Sequence, residues 1–256
     1  MKKILYAILI SAAVLATSCS TEPDEVAETD GKGTVQLTVT TSTAVDAVTR
    51  AQVQLPATVI PNGDDFALRI TATEPTYDQS WTSLRVFDSP RMQRGNYTAA
   101  ISYGNMDIEG VNAACFSGSQ AFTILSRRTI TTDISASLQN AAFKVLFSEW
   151  FTNYYTQAQI TIRTASGNQF TFTPTTESIL FVKPGTELFL KGTANKSQTG
   201  TAVEFPEKSI GTTTARTLHT ITVNASEAGG GTLNITLDES FTSIPEQEIE
   251  LNDDAK

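Results

Sequence analysis

Apolar and polar residues alternate with a period of two along most of the chain beyond residue 33. In the first such segment Val35, Leu37 and Val39 alternate with threonine and glutamine. This spacing turns successive side chains to opposite faces of a strand, so that one face is apolar and the other polar. The pattern or a short apolar run predicts further strands at Phe66–Ala72, Tyr97–Tyr103, Ile130–Leu138, Phe143–Phe147, Ile160–Ile162, Phe170–Phe172, Ile179–Val182, Leu188–Leu190, Val203–Phe205, Ile221–Val223, Leu233–Leu237 and Ile249–Leu251.

Turn-forming residues separate these segments, as at Pro61-Asn62-Gly63-Asp64 and Gly229-Gly230-Gly231. One dry and one wet face per strand is typical of antiparallel sheets packed face to face. Because the pattern restarts around Gln139-Asn140, we predict an all-β chain with two tandem antiparallel β-sandwich domains, immunoglobulin-like or transthyretin-like, at residues 33–139 and 140–256. The only helix that the sequence predicts is a single turn between Glu149 and Tyr155.

The first residues have the form of an export signal. A short basic stretch, Met1-Lys2-Lys3, precedes the uncharged apolar run Ile4–Leu15. That run is shorter than the ~20 apolar residues that a membrane-spanning helix needs. A basic start, a short apolar run and then small residues indicate a signal peptide, here residues 1–18.

Cys19 follows the small residues Ala16-Thr17-Ser18 directly. This arrangement resembles a lipobox, the processing site of bacterial lipoproteins, in which the cysteine becomes the first residue and carries acyl chains. Ala16 departs from the pattern, because leucine is usual three residues before the cysteine. Lipidation of Cys19 is therefore the prediction, and secretion by ordinary signal-peptide cleavage is the alternative.

Residues 19–32 form a polar segment without a hydrophobic period, which we predict to be an acidic tether. Glu22, Asp24 and Glu25 resemble the signal that sends Bacteroides lipoproteins to the outer face of the outer membrane. A plain solvated linker is the other interpretation. The expected location is the outer membrane, with a lipid anchor and exposure at the cell surface.

Charge limits the classes of partner. The formal net charge is −9, and loss of Lys2 and Lys3 with the signal peptide makes it −11 (−9 minus 2). An acidic chain repels phosphate, so nucleic acid is excluded as a partner. Hydrophobic residues make up 40% of the chain, enough for a core, and charged residues only 18%.

No arrangement of residues predicts catalysis. The one histidine, His219, lies in a predicted strand, and Cys115 lies in an apolar segment where a buried small side chain is expected. A chain with one histidine and two cysteines offers no metal-binding cluster of these residues. We therefore predict a protein that is not an enzyme and has no metal or cofactor.

Aromatic residues at the predicted helical turn are the candidates for ligand contact. Trp150, Tyr154 and Tyr155 could stack on sugar rings if they are exposed. Packing in a core is the alternative that we favour, because exposed aromatic patches of this size are rare on soluble proteins.

The order of these features resembles a family of surface proteins. A lipobox, an acidic tether, the strand Gly33–Val39 and the step Thr49-Arg50-Ala51 are similar to Bacteroidetes surface lipoproteins of a domain-of-unknown-function family. More distantly the chain resembles fimbrillin-type proteins, the major and minor fimbrial subunits. The resemblance implies that a protease cuts after an arginine, here Arg50 before Ala51, and removes the first strand. A strand from a neighbouring subunit then fills the groove. The alternative is that Arg50 is an ordinary solvent-facing residue.

The resemblance implies a structural or adhesive role, as a fimbrillin-like subunit, an anchor or an adhesin. The expected partners are the membrane through the N-terminal lipid, other fimbrial subunits, and host surface molecules or glycans. The alternative function is a carbohydrate-binding surface lipoprotein associated with a glycan-uptake system.

Overall fold

A computed structural model of the chain describes residues 31–45, 53–225, 232–237 and 249–250. The predicted signal peptide, Cys19, most of the tether and the Arg50-Ala51 step lie outside these residues. The described chain is mostly β-strand, as the alternation predicts.

Nine of the described strands lie in the N-terminal half, which we define as residues 31–140. They are β1 (Lys32–Thr41), β2 (Ala44–Val45), β3 (Val53–Gln54), β4 (Ala67–Ala72), β5 (Tyr77–Trp81), β6 (Met92–Gln93), β7 (Gly95–Tyr103), β8 (Phe116–Ile124) and β9 (Thr129–Leu138). The described residues of this half also form three 3-10 turns, at Ala57–Val59, Gly63–Asp65 and Leu84–Val86.

The C-terminal half, from residue 141, contains nine described strands and the one described α-helix. They are β10 (Ala141–Phe147), α1 (Glu149–Tyr154), β11 (Tyr155–Thr164), β12 (Gln169–Phe172), β13 (Leu180–Val182), β14 (Glu187–Lys196), β15 (Ala202–Thr212), β16 (Leu218–Ala225), β17 (Thr232–Leu237) and β18 (Ile249–Glu250). Helix α1 is the predicted turn, and the Ser148 hydroxyl caps it by accepting the Phe151 N–H at 3.1 Å. Within the described ranges no helix has the length and apolarity that crossing a membrane would require.

The strands form sandwich-like sheets. In the N-terminal half seven strands follow the order β5-β4-β7-β8-β9-β1-β6. The C-terminal half has a five-stranded sheet, β13-β10-β16-β17-β18, and a four-stranded sheet, β12-β11-β14-β15. Strand β16 pairs antiparallel with β17, with Ile221 opposite Leu237.

The sheets are not purely antiparallel, and the prediction was wrong on this point. Strand β1 runs parallel to β9, and β10 runs parallel to β16. Both pairs join strands far apart in sequence, and such long connections allow either direction. Alternation reports which face of a strand is buried but contains no information about the direction of its neighbour.

Buried apolar side chains form two clusters, which we call the first and the second core. Most members of the first core come from the N-terminal half and most members of the second from the C-terminal half. Four residues beyond position 140 nevertheless belong to the first core: Ala142, Ile179, Phe181 and Leu218. The division into two tandem domains at 139/140 stays a prediction.

Candidate functional site

Strand β1 lies inside the seven-stranded sheet, between β9 and β6. It pairs with β9 from Thr34 opposite Thr129 to Thr41 opposite Ala136. At its start, Lys32 and Gly33 pair antiparallel with Gln93 and Met92. The first described strand of the chain is therefore held along one edge by β9 and, at its first two residues, by β6.

The apolar face of β1 contributes to the first core. Val35 has no exposed surface, and Leu37 and Val39 are partly buried against the same cluster. Alternation along the strand brings these three side chains to one face. Removing β1 would uncover the core beneath them and the backbone edge of β9.

The polar face of β1 is bound to β9 by side-chain hydrogen bonds. The hydroxyl groups of Thr38 and Thr40 donate to the Asp133 carboxylate, at 2.9 and 3.1 Å. On the other edge, the Ser89 hydroxyl donates to the backbone carbonyl of Val35 at 2.5 Å. Hydrogen bonds to Asp133 on one side and to Ser89 on the other therefore hold β1 in its register.

Gly33 fits a position that admits no side chain. A Cβ atom there would lie 2.3 Å from the backbone oxygen of Leu125 and 2.6 Å from that of Arg128. Both atoms belong to the backbone of the β8–β9 connection, so neither can move aside as a side-chain end could. Any strand that occupied this place in the same register would need glycine at this position.

Strands β2 and β3 flank the connection that contains the predicted cut. They pair antiparallel, with Ala44 opposite Gln54 and Val45 opposite Val53. Directly after β3, Leu55 is 4% exposed in the first core, and its N–H donates to the Thr43 carbonyl at 3.0 Å. The chain beyond the predicted cut is therefore held by a core contact of its own.

The aromatic group around α1 divides into an outer and an inner part. Trp150 is 48% exposed, and its ring stacks on that of Tyr154 at 6.4 Å between centroids with 17° between the planes. These residues are four apart and share one face of the helix. Tyr155 is only 6% exposed, and its ring packs against Phe151 and Phe205 in the second core.

Tyr155 cannot stack on a sugar ring in this conformation. The prediction that named it as a glycan-contact residue is therefore corrected. It begins β11, where the chain turns its ring inward, and burial raises the pKa of its phenol. Trp150 and Tyr154 alone form a shelf that a flat ligand could contact. Packing in a core, the alternative favoured from sequence, does not describe Trp150.

Sequence reasoning missed a polar junction between the two halves. The Glu109 carboxylate, in the β7–β8 loop, accepts hydrogen bonds from the Ser166 hydroxyl at 2.6 Å, the Asn168 amide at 2.7 Å and the Thr164 hydroxyl at 2.9 Å. Burial alone would raise the pKa of Glu109, but these hydrogen bonds outweigh it and lower that pKa. No sequence signal indicates the junction, because its members are more than fifty residues apart.

The histidine and the cysteine of the described residues are both buried. His219 has no exposed surface, and its Nε2 accepts the Thr214 N–H at 3.1 Å. Cys115 is 7% exposed, as predicted, and burial raises the pKa of its thiol. In the part of the chain that the structure describes, no three histidine, cysteine or acidic side chains are grouped as metal ligands.

A small cavity of about 190 Å³ lies at the edge of the first core. It is lined by Thr58, Val59, Ile60, Pro61, Tyr103, Asn112, Ala114 and Phe181. Pockets for drug-sized ligands are usually ~300 Å³ or more. We assign no ligand to this cavity.

The sequence matches one family model over most of its length. The model is that of a family described as Domain of unknown function (DUF4493), and it matches residues 31–253. No curated protein matches the chain.

Several solved structures are similar to the chain at low identity and low TM-score. A fimbrial assembly protein from Parabacteroides distasonis has a TM-score of 0.46 and 9% identity, over 81% of this chain and 99% of that chain. A candidate cell adhesion protein from Bacteroides ovatus has a TM-score of 0.43 and 8% identity, over 80% and 96% of the two chains. A candidate polysaccharide-binding protein from Bacteroides thetaiotaomicron has a TM-score of 0.40 and 10% identity, over 84% and 99%. These values are too low to carry a functional argument, so the names describe those proteins alone.

Proposed function

The chain belongs to the family described as Domain of unknown function (DUF4493), and from this premise we propose that it is a lipid-anchored surface protein with a structural or adhesive role. In this proposal Cys19 carries the lipid, residues 19–32 are the tether, and the strands from β1 onward form the exposed part. The protein acts by binding other proteins or surfaces rather than by catalysis. Two tandem sandwich domains, 33–139 and 140–256, are part of the same proposal.

The position of β1 is the observation that carries the proposal. A strand at the N-terminus of the described chain fills an internal place in a sheet and covers part of the first core. Fully burying a valine or leucine side chain stabilises a protein by ~1.5–3 kcal/mol, and unpaired strand edges attract further strands. If a cut after Arg50 released β1, the open groove would favour a replacement strand.

A neighbouring subunit is the source of that strand in the proposal. Main-chain hydrogen bonds from the incoming strand would restore the ladder on β9, and alternate side chains would refill the place of Val35. The cut also releases β2, the pairing partner of β3. The segment after the cut stays attached through Leu55, which is buried in the first core. A chain of such exchanges would produce a polymer.

The N-terminal mass of protein purified from its own cells tests this assembly. A start at Ala51, together with high-molecular-weight assemblies on native gels, is the expected result for a polymerising subunit. An Arg50→Ala variant should then keep β1 and stay unassembled, whereas Arg85→Ala, an arginine at a surface ion pair, should assemble normally.

An acylated Cys19 on all of the purified protein would overturn strand exchange and leave a permanently anchored adhesin or anchor. A start at Ser20 without a lipid would overturn the anchor itself. These two outcomes separate the adhesive role from the assembly mechanism.

Glycan binding is the second candidate function, favoured by the exposed Trp150–Tyr154 shelf. Two near-parallel rings, one of them half exposed, present an apolar surface on which a sugar ring can stack. Affinity gel electrophoresis with a panel of soluble polysaccharides would test it. Trp150→Ala should abolish retardation, and Leu146→Ala, which alters another exposed apolar side chain, should not. Equal retardation of both variants, or none with the unaltered protein, would reject this site.

A further inference from the structure

The backbone of several basic residues lies where β1 begins. The backbone N–H of Arg94 donates to the Gly31 carbonyl at 2.7 Å, and the backbone N–H of Arg127 donates to the Lys32 carbonyl at 2.8 Å. The Arg128 carbonyl accepts the N–H of Thr34 at 3.0 Å. Strand pairing places Met92 opposite Gly33, which brings Arg91 to the same end. We call this group the basic pole: Lys32, Arg91, Arg94, Arg127 and Arg128.

The four arginines of the basic pole are exposed, and Lys32 is partly buried. Among the described residues, two acidic ones lie nearby. The Glu74 carbonyl borders Gly95, and Asp88 precedes Ser89, whose hydroxyl bonds to β1. The exposed Arg94, Arg127 and Arg128 therefore add positive charge at this end of the described chain. The whole chain carries −9, so the pole has the opposite sign to the protein as a whole.

The pole is also the end of the described fold nearest in sequence to the predicted anchor. Twelve residue-to-residue steps separate Gly31 from Cys19 (31 minus 19). At most ~3.5 Å per residue, they reach no further than about 40 Å. If Cys19 carries a lipid, the basic pole cannot move far from the membrane to which that lipid is bound.

We propose that the basic pole docks on a phosphate-bearing lipid surface beside the anchor and sets the orientation of the protein on the membrane. The proposal rests on the lipid-anchored form of the proposed function, in which β1 has not been removed. It assigns the partner by charge: lipid phosphates are anionic, and the rest of this acidic chain is repelled by them. Docking at this pole directs the remainder of the chain away from the membrane.

The expected attraction is modest and local. A lysine or arginine near an anionic membrane contributes ~1 kcal/mol, and the effect falls off within a Debye length of ~8 Å at physiological ionic strength. Such an attraction is weak for a free protein but effective for one held nearby, because a short link raises the local concentration. A single lipid chain with a basic patch is a recognised combination for stable anchoring.

The acidic residues of the tether compete with lipid phosphates for the positive charges of the basic pole. Five of them precede Gly31: Glu22, Asp24, Glu25, Glu28 and Asp30. A fair test must keep them in the protein. We therefore choose a lipid-free chain that begins at Ser20, which retains both the tether and every described residue.

The experiment measures co-sedimentation of this chain with vesicles. One set contains equal parts phosphatidylglycerol and phosphatidylcholine, and the other contains phosphatidylcholine alone. The double variant Arg127→Gln/Arg128→Gln removes two charges from the pole. The control Lys191→Gln/Lys208→Gln removes two charges from β14 and β15 in the C-terminal half. Circular dichroism checks that each variant is folded.

We expect the unaltered chain to bind the anionic vesicles only. Binding should be about 10- to 30-fold weaker in the pole variant and should change by less than about twofold in the control. Raising the ionic strength from about 0.01 to about 0.15 M should weaken it further. Millimolar inorganic phosphate should not displace the protein, because the proposal requires a surface rather than a free ion.

Equal binding of the pole variant and the control, or no binding to anionic vesicles, would overturn the proposal. Displacement by phosphate would also overturn it and indicate a free-anion site instead. Because the chain in this test has no lipid, a negative result is independent of whether Cys19 is acylated in cells.

Discussion

Phe181 and Gly110 exchange two backbone hydrogen bonds, of 2.9 and 3.0 Å, between β13 and the β7–β8 loop. The Phe181 side chain is fully buried in the first core, whereas Leu180 and Val182 are buried in the second. Strand β13 therefore alternates its side chains between two cores. This relationship couples the stability of the two halves.

Phe181→Ala should destabilise the whole chain in one cooperative transition. The loss of a large buried aromatic side chain costs ~3–5 kcal/mol in free energy of unfolding. Urea unfolding followed by tryptophan fluorescence would measure it, since Trp81 reports on the N-terminal half and Trp150 on α1. The Trp150→Phe variant leaves only the fluorescence of Trp81, and the Trp81→Phe variant leaves only that of Trp150. Separate transitions for the two reporters, with only the Trp81 signal shifted by Phe181→Ala, would contradict the coupling.

Glu109→Ala should weaken the junction between the halves. The variant removes the acceptor for three side-chain donors, so we expect a loss of ~1–3 kcal/mol in the free energy of unfolding. Glu177→Ala is the matched control, because Glu177 is exposed. The same unfolding midpoint in both variants would mean that water replaces the carboxylate at no cost.

The Glu109 junction should also make stability depend on pH. The pKa of Glu109 is lower in the folded chain than its usual value near ~4.3. A lowered folded pKa means that the stabilisation is complete above the usual value and is lost as the pH falls through the folded value. Urea midpoints measured from pH 7 down to pH 3 should fall more steeply for the unaltered protein than for Glu109→Gln. Parallel curves would exclude Glu109 as the source of the acid sensitivity.

The sequence predicted where the strands lie better than it predicted which strands pair with each other. Alternation located β4, β7, β9 and β10 because each strand has one apolar face against a core. It missed β8, in which Gly118 interrupts the pattern. In the structure a Cβ at Gly118 would lie 2.1 Å from the Ser135 carbonyl oxygen. A glycine that looks like a turn signal in the sequence therefore marks a close approach of two strands.

The candidate site illustrates the same limit. Helical spacing correctly places Trp150 and Tyr154 on one face of α1, since a four-residue separation is a local property. Tyr155 lies one residue further and enters the core, because the chain changes from helix to strand at that point. The contacts of Glu109 and Phe181 depend on how the halves meet, and no local pattern reports that.

Gly33→Ala should displace the start of β1. The added methyl group would meet two backbone oxygens, those of Leu125 and Arg128, at 2.3 and 2.6 Å. Forcing an extra carbon into such a position usually costs ~1–3 kcal/mol, and here the strain falls on the strand that the proposed assembly removes. We expect a lower unfolding midpoint and, if β1 detaches more easily, faster cleavage after Arg50 by an arginine-specific protease.

Gly63→Ala is the control for this prediction. Its Cβ would lie 3.5 Å from the Cβ of Val39, an ordinary contact, and it touches the same strand. The two variants therefore differ in backbone collision and not in the chemistry of the substitution. If Gly33→Ala and Gly63→Ala shared one midpoint and one cleavage rate, the close approach at Gly33 would not control the attachment of β1, and a replacement strand would not need glycine there.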